Sequence, residues 1–145
     1  MTAAATDTPL ELTVSHRYKA PREAVFDAWL TPAMLQRFML PGEGMSVPRA
    51  SSDAVEGGRF EIVMEAGGNE MPHRGTYRAI TRPERIVFTW ESPFSPSDSE
   101  VTLDFAEVED GTLLTLTHVR FPDVESRDNH EAGWTRILAR LEEAL

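Results

Sequence analysis

The sequence predicts an α+β fold in which a curved antiparallel sheet of about seven strands wraps around a long C-terminal helix, with two short helices after the first strand. Two observations lead to this prediction. Apolar and polar residues alternate in short segments separated by glycine- and proline-containing turns, which is typical of strands that pair antiparallel. The last stretch, 129–145, instead has an apolar stripe at helical spacing, made by Trp134, Ile137, Leu138, Leu141 and Leu145.

The chain opens with small and polar residues, and we expect residues 1–8 to form a flexible tail and residues 9–145 a single domain. The opening residues lack the basic region and apolar core that are typical of a signal peptide. Residues 10–18 alternate between apolar and polar side chains and therefore predict a half-buried first strand.

Two short helices are predicted after this strand. Pro21 suits the first turn of a helix, because a proline has no N–H group that would be left unpaired there. Thr31 and Pro32 then supply the N-cap and the first residue of a second helix. We expect this second helix to end before Pro41 and Gly42.

The following segments have strand periodicity and predict a meander. They are residues 45–52, 59–65, 71–80, 86–90 and 100–107, and a last strand through Leu114, Leu116 and His118. Pro48 indicates that the first of these strands lies at an edge of the sheet. Residues 92–99 read as a loop rich in proline and serine. A single helix cannot fill the concave face of a strongly bent sheet, so large side chains plug the remaining volume or a pocket remains.

Composition narrows the class of protein and its partners. The chain has 145 residues, of which 41% are hydrophobic and 26% charged, as in a soluble globular domain, and no apolar run approaches the length of a membrane span. The lack of cysteine excludes disulfides, thiol catalysis and thiolate metal sites, and it fits a cytoplasmic location. A net charge of −10 repels phosphate backbones, so we expect neither nucleic acid nor membrane as a partner.

Several segments together resemble a known family. They are Gly57–Phe60, Gly75–Tyr77, Pro83–Trp90, Val101–Phe105, Gly111–His118, and His130 with Gly133, Trp134 and Leu138. In this order they resemble the family named after the activator of the heat shock protein 90 ATPase, especially its small bacterial single-domain members, which belong to the START-like, helix-grip (SRPBCC) superfamily. The resemblance implies a helix-grip fold in which a cavity between sheet and long helix takes apolar or aromatic ligands. We expect no cofactor.

Inward-facing aromatic rings and methionines suit a pocket for a flat apolar ligand, because rings stack on such a ligand and flexible thioethers adapt to its outline. The same side chains could equally form an ordinary hydrophobic core. The candidate ligand-binding residues are Phe38, Met39, Met45, Phe60, Met64, His73, Tyr77, Phe88, Trp90, Phe105, His118, His130 and Trp134.

Two histidines fall on inward strand faces. His73 shares a face with Tyr77, and His118 lies on the last strand, so these groups could orient a ligand or move a proton. The alternative is a buried histidine that bonds to a backbone carbonyl. The 4 histidines are scattered along the chain without a pair at ligand spacing, so we predict no metal site.

The terminal helix divides into two functional parts. His130, Gly133 and Trp134, near its start, are expected to border the opening of the cavity, whereas the leucines and Ile137 further along close the core. Gly133 costs about 1 kcal/mol relative to alanine inside a helix, so its presence predicts the close approach of a strand, a loop or a ligand.

Three functions stay open at this point. The first is binding of a small hydrophobic or aromatic ligand. The second is an enzyme of the cyclase, hydratase or hydrolase type that uses His73, Tyr77 or His118 to carry protons. The third, implied by the family resemblance, is a co-chaperone-like contact with a heat shock ATPase. A homodimer through an exposed strand edge or helix is compatible with all three.

Overall fold

The computed structural model describes residues 10–92 and 98–145. The predicted flexible tail, residues 1–8, and residues 93–97 of the predicted loop lie outside this part of the chain. The elements are, in chain order, β1 (Glu11–Tyr18), α1 (Arg22–Ala28), α2 (Pro32–Phe38), β2 (Ser46–Ser52), β3 (Arg59–Ala66), β4 (Asn69–Thr81), β5 (Arg85–Thr89), β6 (Glu100–Val108), β7 (Gly111–Val119) and α3 (Val124–Ala144).

The strands form one seven-stranded antiparallel sheet with the order β1-β7-β6-β5-β4-β3-β2. The sheet curls around α3 as a half-barrel, which confirms the predicted α+β fold class. The strands from β2 to β7 pair with their neighbours in sequence, and β1 pairs with β7, with Leu12 opposite His118. Strand β2, which contains Pro48, lies at an edge as predicted, because its proline has no N–H group to donate.

The two short helices pack at different places on the half-barrel, since α1 contacts β6 and β7 and α2 contacts β2. Thr31 is the N-cap of α2 and Pro32 its first residue, as the sequence predicts. Leu35 and Phe38 of this helix are buried, and the helix contacts both the edge strand β2 and α3. The concave face is therefore covered by α3 along its length and by α2 on the side of β2.

Helix α3 begins at Val124, where the carboxylate of Asp123 accepts a hydrogen bond of 2.7 Å from the Ser126 backbone N–H. Trp134 and the apolar residues Ile137, Leu138 and Leu141 are buried against the sheet, as the stripe predicts. The prediction that Leu145 also closes the core is wrong. Leu145 is 42% exposed, because it lies beyond Ala144, the last residue of the helix that packs on the sheet.

The convex face of the sheet carries charged residues that pair across strands. Arg74 bonds to Glu61 at 2.7 Å, and Arg78 lies 3.4 Å from Glu100. The first pair joins the neighbouring strands β4 and β3, whereas the second reaches from β4 across β5 to β6. The alternation in the sequence places all four of these side chains on outward strand faces, where such pairs can form. All four side chains are partly exposed to solvent, so we expect each pair to contribute little to stability.

Tyr18 links β1 to the terminal helix. Its ring is 1% exposed, and its hydroxyl donates a hydrogen bond of 2.7 Å to the carbonyl oxygen of Leu138. Burial, helped by the nearby Glu142, raises the pKa of Tyr18 well above the usual range, so the hydroxyl is protonated at neutral pH and can donate this bond.

The substitution Tyr18→Phe is expected to lower the free energy of unfolding by about 1 kcal/mol, because the ring stays and only the buried hydrogen bond is lost. Urea denaturation followed by circular dichroism measures this change, with an unchanged m-value as the sign that the unfolding reaction itself is the same. A variant as stable as the wild type would contradict the prediction.

Candidate functional site

A cavity of about 430 Å³ lies between the first half of α3 and the end of the sheet formed by β3 and β4. Its deep wall consists of buried side chains, namely Met64, His73, Trp90, Trp134 and Ile137. Its mouth is formed by exposed residues at the start of α3, namely Pro122, Asp123, Glu125 and Asn129. Half-buried residues complete the lining, namely Pro41, Met45, Met71, Ser126, His130 and Gly133. The interior is thus mostly apolar, whereas the mouth is polar.

Only some of the predicted ligand-binding residues meet in this cavity. Those in its lining are Met45, Met64, His73, Trp90, His130 and Trp134. The remaining ones are buried elsewhere in the core, namely Phe38, Met39, Phe60, Tyr77, Phe88, Phe105 and His118. The residues in the lining are those that face the space beneath the first half of α3.

The aromatic residues outside the cavity pack against one another. The Phe60 ring lies 5.3 Å from the rings of Tyr77 and Phe88, measured between centroids. Phe105 meets Phe26 edge to face at the same separation, 5.3 Å. A void of about 10 Å³ beside this cluster has room for no more than one water molecule. These residues therefore form ordinary core, which was the alternative reading of their sequence pattern.

The deep wall of the cavity contains a row of three rings in contact, tilted against one another. Trp90 lies between His73 and Trp134, with ring centroids 5.0 Å apart on each side. This row presents aromatic surface to the cavity, and the thioethers of Met45, Met64 and Met71 line it as well. Such a combination suits a flat apolar molecule, because rings offer stacking faces and methionines adjust their rotamers.

His118 lies behind this row and holds it in place. The indole N–H of Trp134 donates to His118 Nδ1 at 3.0 Å, so the proton of the neutral imidazole must reside on Nε2. The Nε2 atom lies 3.2 Å from the hydroxyl of Ser99, which donates in turn to the carbonyl oxygen of Trp90 at 2.6 Å. His118 therefore connects both cavity tryptophans and acts as a positioning residue.

The charge state of His118 agrees with this role. Its side chain is fully buried, and burial, helped by the neighbouring His130, lowers the pKa of His118 to about 3. The imidazole is therefore neutral at physiological pH, as the hydrogen bond from Trp134 requires.

The two histidines in the cavity lining share one arrangement. Nδ1 of His73 donates to the carbonyl oxygen of Met71 at 2.9 Å, and Nδ1 of His130 donates to that of Ser126 at 2.8 Å. Burial lowers the pKa of His73 to about 4 and also lowers the pKa of His130. Both rings are therefore neutral at pH 7, with the proton on Nδ1 and a lone pair on Nε2.

The polar mouth of the cavity is a feature that the sequence interpretation missed. Ser126 and Asn129 are not among the candidate ligand-binding residues, whereas His130 is. Ser126 and Asn129 lie three or four residues from His130 or from each other along the face of α3 that continues to Trp134, and this helical spacing is the signal that could have revealed them. Gly133 marks a close approach, as predicted, and the neighbour is a loop: a Cβ atom there would lie 3.2 Å from the Cβ of Pro41.

Within residues 10–92 and 98–145, no group of three or more histidine, aspartate or glutamate side chains is arranged to hold a metal ion. None of the helices in the same ranges is long and apolar enough to cross a membrane.

Comparisons with known proteins place the chain in a family. The family model described as "Activator of Hsp90 ATPase homolog 1-like protein" matches residues 19–145. A crystal structure of a Chromobacterium violaceum protein has a TM-score of 0.84 and 27% identity, covering 94% of this chain and 96% of that one. The crystal structure of the AHSA1 protein from Silicibacter pomeroyi has a TM-score of 0.77 and 28% identity, and the match covers 92% of this chain and 95% of that one.

A third solved structure is described as an HSP90 activator from Plasmodium falciparum, with a TM-score of 0.72, 26% identity and coverages of 92% and 94%. A comparison with curated proteins finds no match. The family model and the fold agree with the resemblance seen in the sequence. The chain therefore belongs to the family of proteins like the activator of Hsp90 ATPase homolog 1, which have the START-like helix-grip fold.

Proposed function

We propose that this protein binds a small hydrophobic or aromatic molecule in the cavity between the sheet and α3. The observation that supports this best is the cavity itself, whose volume of about 430 Å³ and largely apolar lining fit the usual range for small-molecule sites, roughly 300–1,000 Å³. The row of rings formed by His73, Trp90 and Trp134 offers aromatic surface to such a molecule. The proposal includes a single functional domain, residues 9–145. It also includes a cytoplasmic location, which is compatible with a chain that has no cysteine.

The test uses 2-methylnaphthalene as a flat apolar probe. We expect saturable binding at one site by titration calorimetry, and a melting temperature that rises with probe concentration, because the probe binds only the folded state. The variant Asn129→Phe, which narrows the mouth, should weaken binding about tenfold or more.

The matched control is Ala132→Phe, which adds the same ring to an exposed position of α3 that does not line the cavity. We expect its affinity to equal that of the wild type. Absence of saturable binding to the wild type, or equal weakening by both substitutions, would contradict the proposal.

An enzymatic role has less support from the site. Of the residues considered as proton carriers, Tyr77 and His118 do not line the cavity. His73 does, but burial lowers its pKa to about 4, whereas a general base works best with a pKa near the working pH. A neutral imidazole of this kind is better suited to accept a hydrogen bond than to accept a proton.

A co-chaperone role is the second candidate, favoured by the similarity to the Plasmodium falciparum protein described as an HSP90 activator. The test is a measurement of ATP hydrolysis by a purified heat shock ATPase of this type with and without the chain. If the rate of ATP hydrolysis is unchanged and the two proteins do not co-purify, the co-chaperone role is wrong. The predicted homodimer and the expected lack of nucleic-acid binding stay predictions.

A further inference from the structure

Resting on the proposed ligand-binding function, we infer that the ligand is an uncharged molecule with a flat apolar body and a hydrogen-bond donor, preferably a hydroxyl group, that reaches the imidazole of His73 or His130. The apolar lining predicts the flat apolar body of the ligand, but it does not predict the ligand's charge or its hydrogen-bonding groups. These follow from the tautomers of these two histidines, from the charges at the mouth and from the indole of Trp90, which contacts His73 and whose N–H has no partner among the described residues.

The tautomers decide which hydrogen-bonding role the cavity offers. A carbonyl oxygen can only accept, so the bonds from His73 to Met71 and from His130 to Ser126 place the proton of each neutral ring on Nδ1. The remaining nitrogen, Nε2, is then an acceptor in both rings. Both rings line a mostly apolar cavity, where an acceptor is most stable with a donor opposite it, so a ligand that carries a donor complements the site.

The mouth disfavours an anionic ligand. Asp123 and Glu125 line it, and the chain as a whole has a net charge of −10. The start of α3, which would otherwise attract an anion, is already capped by the Asp123 carboxylate through the Ser126 N–H. A carboxylate ligand would therefore meet like charges at the mouth and lose its hydration inside.

A hydroxyl group fits the site better than a donor that cannot also accept. The side chain of Trp90 lines the cavity, and its indole N–H is buried without a partner among the described residues. A hydroxyl group can donate its hydrogen to an imidazole and still accept through its oxygen, so it can serve both kinds of protein group.

The test compares three probes that share the naphthalene ring, at pH 7, by titration calorimetry. They are 2-naphthol, which donates and accepts, 2-methoxynaphthalene, which only accepts, and the anion 2-naphthoate. We expect 2-naphthol to bind about tenfold more tightly than 2-methoxynaphthalene, which corresponds to about 1.4 kcal/mol, and 2-naphthoate to bind most weakly. Equal or tighter binding of 2-methoxynaphthalene, or tightest binding of 2-naphthoate, would overturn the inference.

The variants His73→Phe and His130→Phe locate the acceptor. We expect at least one of them to reduce the preference for 2-naphthol over 2-methoxynaphthalene to within about twofold, while binding of 2-methylnaphthalene is retained. The control is His16→Phe, a histidine on β1 that bonds to Glu142 and does not line the cavity. The double variant, with both histidines replaced by phenylalanine, completes the test. If it and both single variants prefer 2-naphthol over 2-methoxynaphthalene as strongly as the wild type does, the inference is wrong.

The two proposals fail in different ways. If none of the naphthalene probes binds to the wild type, the proposed ligand-binding function fails and the inference falls with it. If 2-methylnaphthalene binds but the hydroxyl confers no advantage, the ligand-binding function stands and only the inference about the donor is wrong.

Discussion

Replacing Trp134 by alanine is expected to lower the free energy of unfolding by about 3–5 kcal/mol, the usual cost of removing a buried aromatic side chain. Trp134 is 2% exposed, and its ring lies 5.0 Å from that of Trp90 and 6.3 Å from that of Trp29. The substitution also leaves Nδ1 of His118 without its hydrogen-bond donor. A loss of this size is a large share of the total stability of a small domain, roughly 5–15 kcal/mol.

Chemical denaturation of matched variants separates packing from hydrogen bonding. Trp134→Phe keeps much of the ring and loses the N–H group, so we expect it to cost about 1–3 kcal/mol. Thr135→Ala, at the exposed neighbouring position, should change stability by no more than about 0.5 kcal/mol. A loss below about 1 kcal/mol for Trp134→Ala would mean that α3 does not pack on the sheet as described.

Acidification is expected to destabilise the fold strongly before most carboxylates are protonated. His73 and His118 are buried as neutral rings, with pKa values lowered by burial to about 4 and about 3, against 6.5 for an ordinary histidine. Because the folded-state pKa is depressed, the unfolded chain binds more protons between these values. The stabilisation is therefore fully present above about pH 6.5 and is lost as the pH falls toward the folded-state pKa.

The size of this effect follows from linkage. Between pH 7 and pH 5, each of the two histidines should cost about 2 kcal/mol of unfolding free energy, so we expect a fall of about 4 kcal/mol in total. His130 acts in the same direction, since burial lowers its pKa too. Asp27 and Glu91, whose pKa values are lowered by hydrogen bonds from Arg82 and Arg59, act mainly at lower pH.

Urea denaturation at a series of pH values from 7 to 5 measures the slope of stability against pH. Near pH 5, unfolding of the wild type takes up about one proton through His73. In the variant His73→Phe this proton uptake is absent, so the slope of stability against pH should be smaller by about 1.4 kcal/mol per pH unit, whatever the stability of the variant itself. A slope identical to that of the wild type would show that His73 is not buried as a neutral ring. A flat profile between pH 7 and pH 5 in the wild type would contradict the prediction for both histidines.

Much of the fold could be predicted because its signals are local. Alternation of apolar and polar residues predicts a strand and shows which of its side chains share a face. Glycine and proline mark the turns at which strands end. Pro48 identified an edge strand for the same local reason, since a proline cannot donate to a neighbouring strand. The helical stripe from Trp134 to Leu141 likewise predicted the buried face of α3.

The cavity could be predicted only in part. Periodicity shows that Phe60, Tyr77 and Phe88 face inward, but it does not show what lies opposite them. These rings face one another, whereas Met64, His73 and Trp90 face the space under the first half of α3. The difference depends on where α2 and α3 pass over the sheet, which no local pattern records.

The sequence by itself determined the order of strands and helices, the family, the inward and outward faces of the sheet and the face of the terminal helix that is buried. Only the tertiary structure decided that Leu145 is exposed, that His118 lies behind Trp134, and which inward side chains line a cavity. The physical reason is that faces follow from backbone periodicity within one element. Cavities and hydrogen bonds between distant residues depend on how those elements are positioned against one another.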